Sequence, residues 1–229
     1  MAASLVNWLL ELTFPTRCVS CAKKGKLLCD DCEGKLSPLS FFSCLVCGKP
    51  SLGGFTHPTC SDRFNPERNL SFFSYRGPAR SLVKSLKYQG LRSVAELMAE
   101  LVLEDLAEKG ITFGRSAWVV PIPLSFWRQN ERGFNQAEIF ARALAKNLKL
   151  KILPSLLKRV KNTSSQTALS KEERSQNVHG AFAVTRRIRK KDILLVDDVL
   201  TTGATVREAA RILKKKGAKQ VWVLTFSLD

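Results

Sequence analysis

Apolar positions along this chain fall into two patterns, and the switches between them lay out its elements. Short apolar-rich runs at 70–75, 117–122 and 193–196 read as strands, the last continuous enough to be covered on both faces. Between the runs, apolar residues recur at helical spacing. Leu82, Val83 and Leu86 mark a helix over 78–87, and Val94, Met98, Leu101 and Val102 a longer one ending near Gly110. Ile139, Phe140, Ala143, Leu144 and Leu148 line a helix opened by Asn135 and Gln136, where Asn135 suits either an N-cap or a ligand contact. Val206, Ala209, Ala210 and Leu213 line the last helix, whose other face carries Arg207, Glu208, Arg211, Lys214 and Lys215. Gly217 fits its C′ position, after a basic final turn that suits the negative end of the dipole. Strands alternating with helices predict an α/β domain with a parallel sheet over residues 67–229. Residues 1–66 lack this rhythm, apart from an apolar-leaning stretch at 1–12 that reads as a short helix packed on the body. Segment 162–180 is polar, rich in hydroxyls and poor in apolar residues, so it reads as a mobile loop.

The strand at 193–196 runs straight into candidate chemistry. Asp197 and Asp198 follow it, then Val199, Leu200, Thr201, Thr202, Gly203, Ala204 and Thr205, then the last helix. Turn 201–205 therefore sits at a helix N-terminus, where unpaired N–H groups and the dipole attract an anion. Gly203 lets the backbone close on a phosphate, and the threonines add hydroxyl donors. Ionised Asp197 and Asp198 can only accept hydrogen bonds, which suits the 2′ and 3′ hydroxyls of a ribose. One ligand needs both features at this separation, a ribose 5-phosphate. Helix capping alone requires one Asp or Thr rather than the whole string. A nucleotide-hydrolase strand ending in acids would need a G-x-x-x-x-G-K-[ST] partner, and the chain has neither that string nor G-x-G-x-x-G.

The first quarter of the chain carries different chemistry. All 7 cysteines precede residue 61, in the pairs Cys18-x2-Cys21, Cys29-x2-Cys32 and Cys44-x2-Cys47, and His57-x2-Cys60 completes a fourth pair. Each pair can deliver two ligands to one tetrahedral ion from a single turn, so eight donors predict two structural zinc sites. A disulfide framework would leave one cysteine odd and would need a secretory context, for which no signal peptide is evident. Sequential grouping (18/21/29/32, then 44/47/57/60) and interleaved grouping differ by only about 1 kcal/mol of loop closure. Spacing alone does not choose between them.

Charge adds a partner class. The formal net charge of +17 is uneven. Residues 1–66 hold 7 Lys+Arg against 5 Asp+Glu, whereas residues 126–191 hold 16 against 4, a local balance of +12. Such an excess favours a polyanionic partner, and a sugar-phosphate pocket needs only a few of these cations. No apolar run approaches the ~20 residues of a membrane-spanning helix, so nothing in the chain reads as spanning a membrane.

The string over 197–205 resembles the loop that binds phosphoribosyl diphosphate (PRPP) in type I phosphoribosyltransferases. Further strings narrow the likeness. They are the Cys-pair start, Leu86-Lys87-Tyr88-Gln89-Gly90, Val120-Pro121-Ile122-Pro123-Leu124, Arg132-Gly133-Phe134-Asn135-Gln136, and the spaced set Gln166, Leu169, Arg174, Asn177, Gly180, Ala181 and Phe182. Together they resemble the ComF family of competence-associated proteins over nearly the full chain. His57 departs from the family pattern, which usually has Cys there. The resemblance implies a type I phosphoribosyltransferase-like parallel sheet flanked by helices (67–229), preceded by a small zinc-binding domain (1–66). It implies binding of PRPP with Mg²⁺ and handling of single-stranded DNA in the cytoplasm during natural transformation, with other competence machinery as partners. The residues it assigns to PRPP are Asp197, Asp198, Thr201, Thr202, Gly203, Ala204, Thr205, Arg132 and Lys87, the two aspartates orienting the ribose in any catalysis. The Pro121-Ile122-Pro123 loop with Arg128 and Arg132 would hold the pyrophosphate, Tyr88 would lie nearby, and Gln166, Arg174 and Asn177 would close from the polar loop. A phosphoribosyltransferase of nucleobase or amine salvage is the alternative, and so is a PRPP-responsive regulator without turnover. No residue stands out as the acceptor's base-recognition group, since His179 is a loop residue and His57 a metal-ligand candidate.

Overall fold

The computed structural model describes residues 15–161 and 178–229. The stretch 1–12 and the candidates Gln166, Arg174 and Asn177 lie outside them. The described residues begin with the cysteine-rich segment, which holds a short helix, α1 (Asp30–Glu33), and two 3₁₀ turns, Leu52–Gly54 and Pro58–Cys60. The main domain follows as β1 (Arg68–Ser74), α2 (Gly77–Gln89), α3 (Arg92–Glu108), β2 (Trp118–Pro121), α4 (Phe126–Arg132), α5 (Gln136–Leu148), β3 (Lys151–Ile152), β4 (Leu157–Arg159), β5 (Phe182–Val184), β6 (Asp192–Leu200), α6 (Ala204–Lys215) and β7 (Gln220–Leu228). Five strands form one sheet in the order β1-β7-β6-β2-β3. Every neighbouring pair in it is parallel. β4 and β5 form a separate antiparallel pair.

Alternation along the strands builds two cores. Leu194 and Val196 of β6, with Val119, Leu224 and Phe226, face α2, α3 and α5. Ile193 and Leu195, with Val120, Val221 and Val223, face α6 and the β4–β5 pair. Both faces of β6 are thus covered, as its continuous apolar run requires. The helices bury the expected residues: Leu82, Val83 and Leu86 on α2, Phe140 and Leu144 on α5, and Val206, Ala209, Ala210 and Leu213 on α6.

Three local features go beyond the sequence reading. β6 continues through the acidic doublet to Leu200, with Asp197 paired to Thr225 and Val199 to Ser227 of β7. Ladder bonds to β7 hold this polar stretch extended despite its weak strand propensity. Glu208 is buried, although helical spacing puts it on the outer face of α6. Its carboxylate accepts hydrogen bonds from the Gly180 N–H at 2.7 Å and from the Arg211 guanidinium at 2.6 and 2.7 Å. The burial is tolerated because its oxygens are paired. Finally, the cysteine-rich segment packs into the main cores. Cys18, Leu28, Cys29, Cys32 and Phe42 join the first core, Leu45 joins the second, and Pro38 bridges to Phe73 of β1.

Candidate functional site

Three separate strings of the chain meet at the C-terminal edge of the sheet, where open α/β sheets bind ligands. β6 brings Asp197 and Asp198 there, α2 ends there with Lys87, and β2 delivers the Pro121-Ile122-Pro123 segment, pinned to β6 by the Ile122 N–H donating to Val196 O at 2.8 Å. Asn135 ties the next string in. Its Oδ1 accepts from the Ala137 N–H at 3.1 Å as the N-cap of α5, while its Nδ2 donates to Ile122 O at 3.0 Å. Of its two sequence-level roles the cap is the one seen, and both ends of the amide are occupied by the protein.

The acidic doublet splits by partner. Successive strand residues start toward opposite faces, and Asp198 is buried against α2 with its Oδ2 2.9 Å from Lys87 Nζ. Burial alone would depress the Lys87 pKa, but the charge and hydrogen bond of Asp198 reverse that and raise it above the ordinary value. Asp197 accepts the Asp198 N–H at 2.9 Å. Its burial, then the charge of Asp198 and a hydrogen bond to it, push its carboxyl well above the usual range, with Lys87 opposing. The site therefore contains one carboxyl paired with a cation and one held toward its neutral form.

Turn 201–205 opens α6 with Gly203 at φ 74, and no side chain caps the helix. The aspartates are thus not serving as its cap, and its leading N–H groups point to the same edge of the sheet, an arrangement suited to an anion. A Cβ on Gly203 would lie 3.0 Å from Leu45 Cδ1. The Cys44-x2-Cys47 knuckle therefore packs directly on the turn.

The Lys87-Tyr88-Gln89-Gly90 and Arg132-Gly133-Phe134 strings also touch. The Arg132 guanidinium lies 5.8 Å from the Tyr88 ring centroid and donates to Gln136 Oε1 at 3.2 Å. Gly90, at φ 60, leaves room for the Phe134 ring, which would be 2.9 Å from an added Cβ. The sequence reading missed Arg159 of β4. Burial, then the nearby charge of Arg128, lower its pKa, and Asp197 acts in the opposite sense, which sets all three around one space. The signal was weak, because Arg159 is one cation within a generally basic stretch.

The eight metal-ligand candidates form two sequential groups. In each of Cys18, Cys21, Cys29, Cys32 and Cys44, Cys47, His57, Cys60 the donor atoms all lie within 4.8 Å of one another. A tetrahedral zinc thiolate site has sulfurs about 3.8 Å apart, given its 2.3 Å Zn–S bonds. Cys21 Sγ and Cys29 Sγ are 3.6 Å apart, and Cys47 Sγ and His57 Nδ1 3.3 Å. His57 Nε2 donates to Pro50 O at 3.0 Å, which leaves Nδ1 as the ligating atom and fixes the ring as zinc histidines are fixed. Burial resists ionisation of Cys18, but backbone groups of Cys29, Cys21 and Ser20 more than offset it and bring the thiol down to about 6. Cys44 falls to about 7 against its burial for the same reason. Burial, together with the neighbouring thiols, pushes Cys32 up to about 12 and raises Cys60. Crowded thiols that cannot all ionise alone are the donor set a divalent cation completes.

Among the described residues no helix is long and apolar enough to cross a membrane. Residues 135–227 match the model of the phosphoribosyl transferase domain, and residues 9–62 that of the double zinc ribbon domain. The chain is 31% identical to Competence protein F of Haemophilus influenzae, over 92% of this chain and 97% of that one. It is 32% identical to the DNA utilization protein YhgH of Salmonella typhimurium, over 81% and 84%. It is 29% identical to Competence protein ComFC of Bacillus subtilis, over 90% and 85%. A phosphoribosyltransferase-like parallel sheet behind a double zinc ribbon, with this likeness over nearly the whole length, makes the chain a member of the ComF family of competence proteins.

Proposed function

We propose that this chain binds PRPP together with Mg²⁺ at the edge formed by β6 and α6, and that it handles single-stranded DNA in the cytoplasm during natural transformation. The observation that carries the first half is the uncapped start of α6 directly after a carboxylate pair, of which one member is fixed by Lys87. The N–H groups of turn 201–205 and the hydroxyls of Thr201, Thr202 and Thr205 would take the 5-phosphate. Asp197 and Asp198 would accept from the ribose hydroxyls, and those hydroxyl donors would favour the ionised form of Asp197. Arg132 and Arg128, beside the Pro121-Ile122-Pro123 segment, would face the pyrophosphate, for which guanidinium forks are well shaped. Mg²⁺ would arrive with the pyrophosphate, held largely by its oxygens, and would neutralise its charge. Zinc in the two cysteine clusters would be structural, since all four positions of each are filled by protein. The competence and DNA-utilization names of the relatives, with the +12 balance of residues 126–191, support the DNA half.

The match of residues 135–227 to the phosphoribosyl transferase domain favours a second reading, in which the site also turns PRPP over. A nitrogen nucleophile would form a bond to C1 of the ribose as the C1–O bond to pyrophosphate breaks. The bonding pair would leave with pyrophosphate, and the nucleophile's proton would pass to solvent or a base. Pyrophosphate release with one defined acceptor tests this reading.

The binding proposal is tested by calorimetric titration of the zinc-loaded protein with Mg-PRPP, alongside the double variant Asp197→Asn, Asp198→Asn. The expected result is a one-to-one complex weakened at least tenfold in the variant. Equal affinity in both proteins would remove the ribose assignment.

A further inference from the structure

At the opposite end of β6 the fold presses two basic runs together. Residues 186–191 contain Arg186, Arg187, Arg189, Lys190 and Lys191, and residues 214–219 contain Lys214, Lys215, Lys216 and Lys219. Three backbone hydrogen bonds join them: Ile188 N–H to Lys216 O at 2.9 Å, Lys190 N–H to Gly217 O at 3.0 Å, and Lys219 N–H to Lys191 O at 2.9 Å. The approach is close enough to require glycine. Gly217 sits at φ 100, and a Cβ there would meet Ile188 O at 2.3 Å. Between the runs lies a groove of about 450 Å³ lined by Val184, Thr185, Arg186, Arg187, Lys215, Lys216 and Gly217. Among the described residues, only Lys214 of these nine cations has a carboxylate partner, Glu67.

The dipole of α6 explains part of this. Lysines at a helix C-terminus are favourable by about 0.3–1 kcal/mol each, which suits Lys214 and Lys215. It does not explain a second basic run, outside any helix, held against the first by main-chain bonds. Like charges fixed side by side lower stability unless an anion joins them. A lipid surface would want exposed apolar side chains beside the cations. Among the described residues the large exposed ones lie outside both runs, and the rings that touch these cations, Trp118 under Arg186 and Lys191 and Phe64 under Lys215, are half-buried. A linear polyanion with regularly spaced charges fits an open groove with cations on both walls.

We propose that this groove binds the phosphodiester backbone of single-stranded nucleic acid, at a surface separate from the PRPP edge. It rests on the DNA half of the function proposed above and gives that half a location. Six residue steps along β6, about 20 Å at 3.3 Å per residue, separate Asp192 beside the groove from Asp198, so the two ligands bind without competing.

The test uses the full-length zinc-loaded protein, a fluorescently labelled single-stranded oligonucleotide read by anisotropy over a range of salt, and Mg-PRPP read by calorimetry. The variant replaces Arg187, Lys190, Lys215 and Lys216 by Gln. These side chains are exposed, so the fold is retained, and zinc content with Mg-PRPP affinity verifies it. For single strands the logarithmic salt slope is about 0.7 per phosphate contacted. The proposal expects the variant's slope to be shallower by about 2–3 on that basis, and its oligonucleotide affinity at 0.1 M salt to fall at least tenfold with Mg-PRPP affinity unchanged. An unchanged slope in a variant that still binds Mg-PRPP overturns the groove and leaves DNA handling by another surface. Absence of oligonucleotide binding by the unmodified protein overturns both the groove and the DNA half of the function. A parallel loss of Mg-PRPP affinity overturns the claim that the surfaces are separate.

Discussion

Asp197 illustrates how a residue proposed for binding works against the stability of the protein that carries it. Its folded pKa is raised above the ordinary value, first by burial and then by Asp198. A carboxyl with a raised folded pKa binds more protons folded than unfolded, so its contribution to stability is lost as pH rises from about 4 through the raised value. Asp197→Asn keeps the shape and removes that charge. The ligand-free variant should therefore melt a few degrees higher than the unmodified protein at pH 8, a gap that shrinks toward pH 5, while binding Mg-PRPP more weakly. Melting curves across that pH range decide it, and equal melting temperatures at pH 8 would contradict the assigned strain. Gly203 makes a second residue-scale prediction. Its φ of 74 and the 3.0 Å approach to Leu45 Cδ1 predict that Gly203→Ala costs about 1–2 kcal/mol and weakens Mg-PRPP at least tenfold. At this scale the sequence showed residue types but not their partners. Lys87 and Asp198 stand in different strings, and only the fold makes them an ion pair. Glu208 was misread because helical periodicity cannot register that the Gly180 N–H and Arg211 reach in to satisfy a buried carboxylate.

At the scale of elements, period was a good guide and continuity a poor one. The 3.6-residue recurrence placed α2, α3, α5 and α6 to within a few residues, because each packs a single apolar face on the sheet. β6 ran four residues past its apolar core, since ladder pairing with β7 sustains strand geometry where side-chain composition does not. Strand order was not legible, because the chain's local pattern says nothing of which strands adjoin. Neither was the joining of the zinc ribbon to the turn at 201–205. Leu45, between Cys44 and Cys47, is buried in the same cluster as Leu200 and Val206 and packs on Gly203. Leu45→Ala should cost about 2–3 kcal/mol as a large-to-small core change, and should weaken Mg-PRPP severalfold with the zinc content unchanged. Stripping zinc with a chelator should weaken Mg-PRPP at least as much, because it releases the knuckle that holds Leu45 in place. Calorimetry on the zinc-depleted protein checks this, and full affinity without zinc would show that the ribbon does not support the turn.

For the whole molecule, charge was legible as an amount and not as a surface. The sequence locates a +12 balance in residues 126–191, but the groove combines the end of that stretch with the lysines that close α6. The two proposed anion-binding regions, at opposite ends of β6, would give the protein a division of labour, with a small sugar phosphate at one edge and a polyanion at the other. The acceptor side of the site was blank in the sequence. Tyr88 is exposed beside Arg132, and Phe126 and Trp127 are exposed next to Arg128. Everything turns on whether a sugar phosphate docks at the junction of β6 and α6. Diffraction from crystals grown with Mg-PRPP reads this directly. The account predicts the 5-phosphate against the N–H groups of Gly203, Ala204 and Thr205, with the ribose hydroxyls facing Asp197 and Asp198. Density for the ligand at any other surface, with that turn contacting only protein, would contradict it.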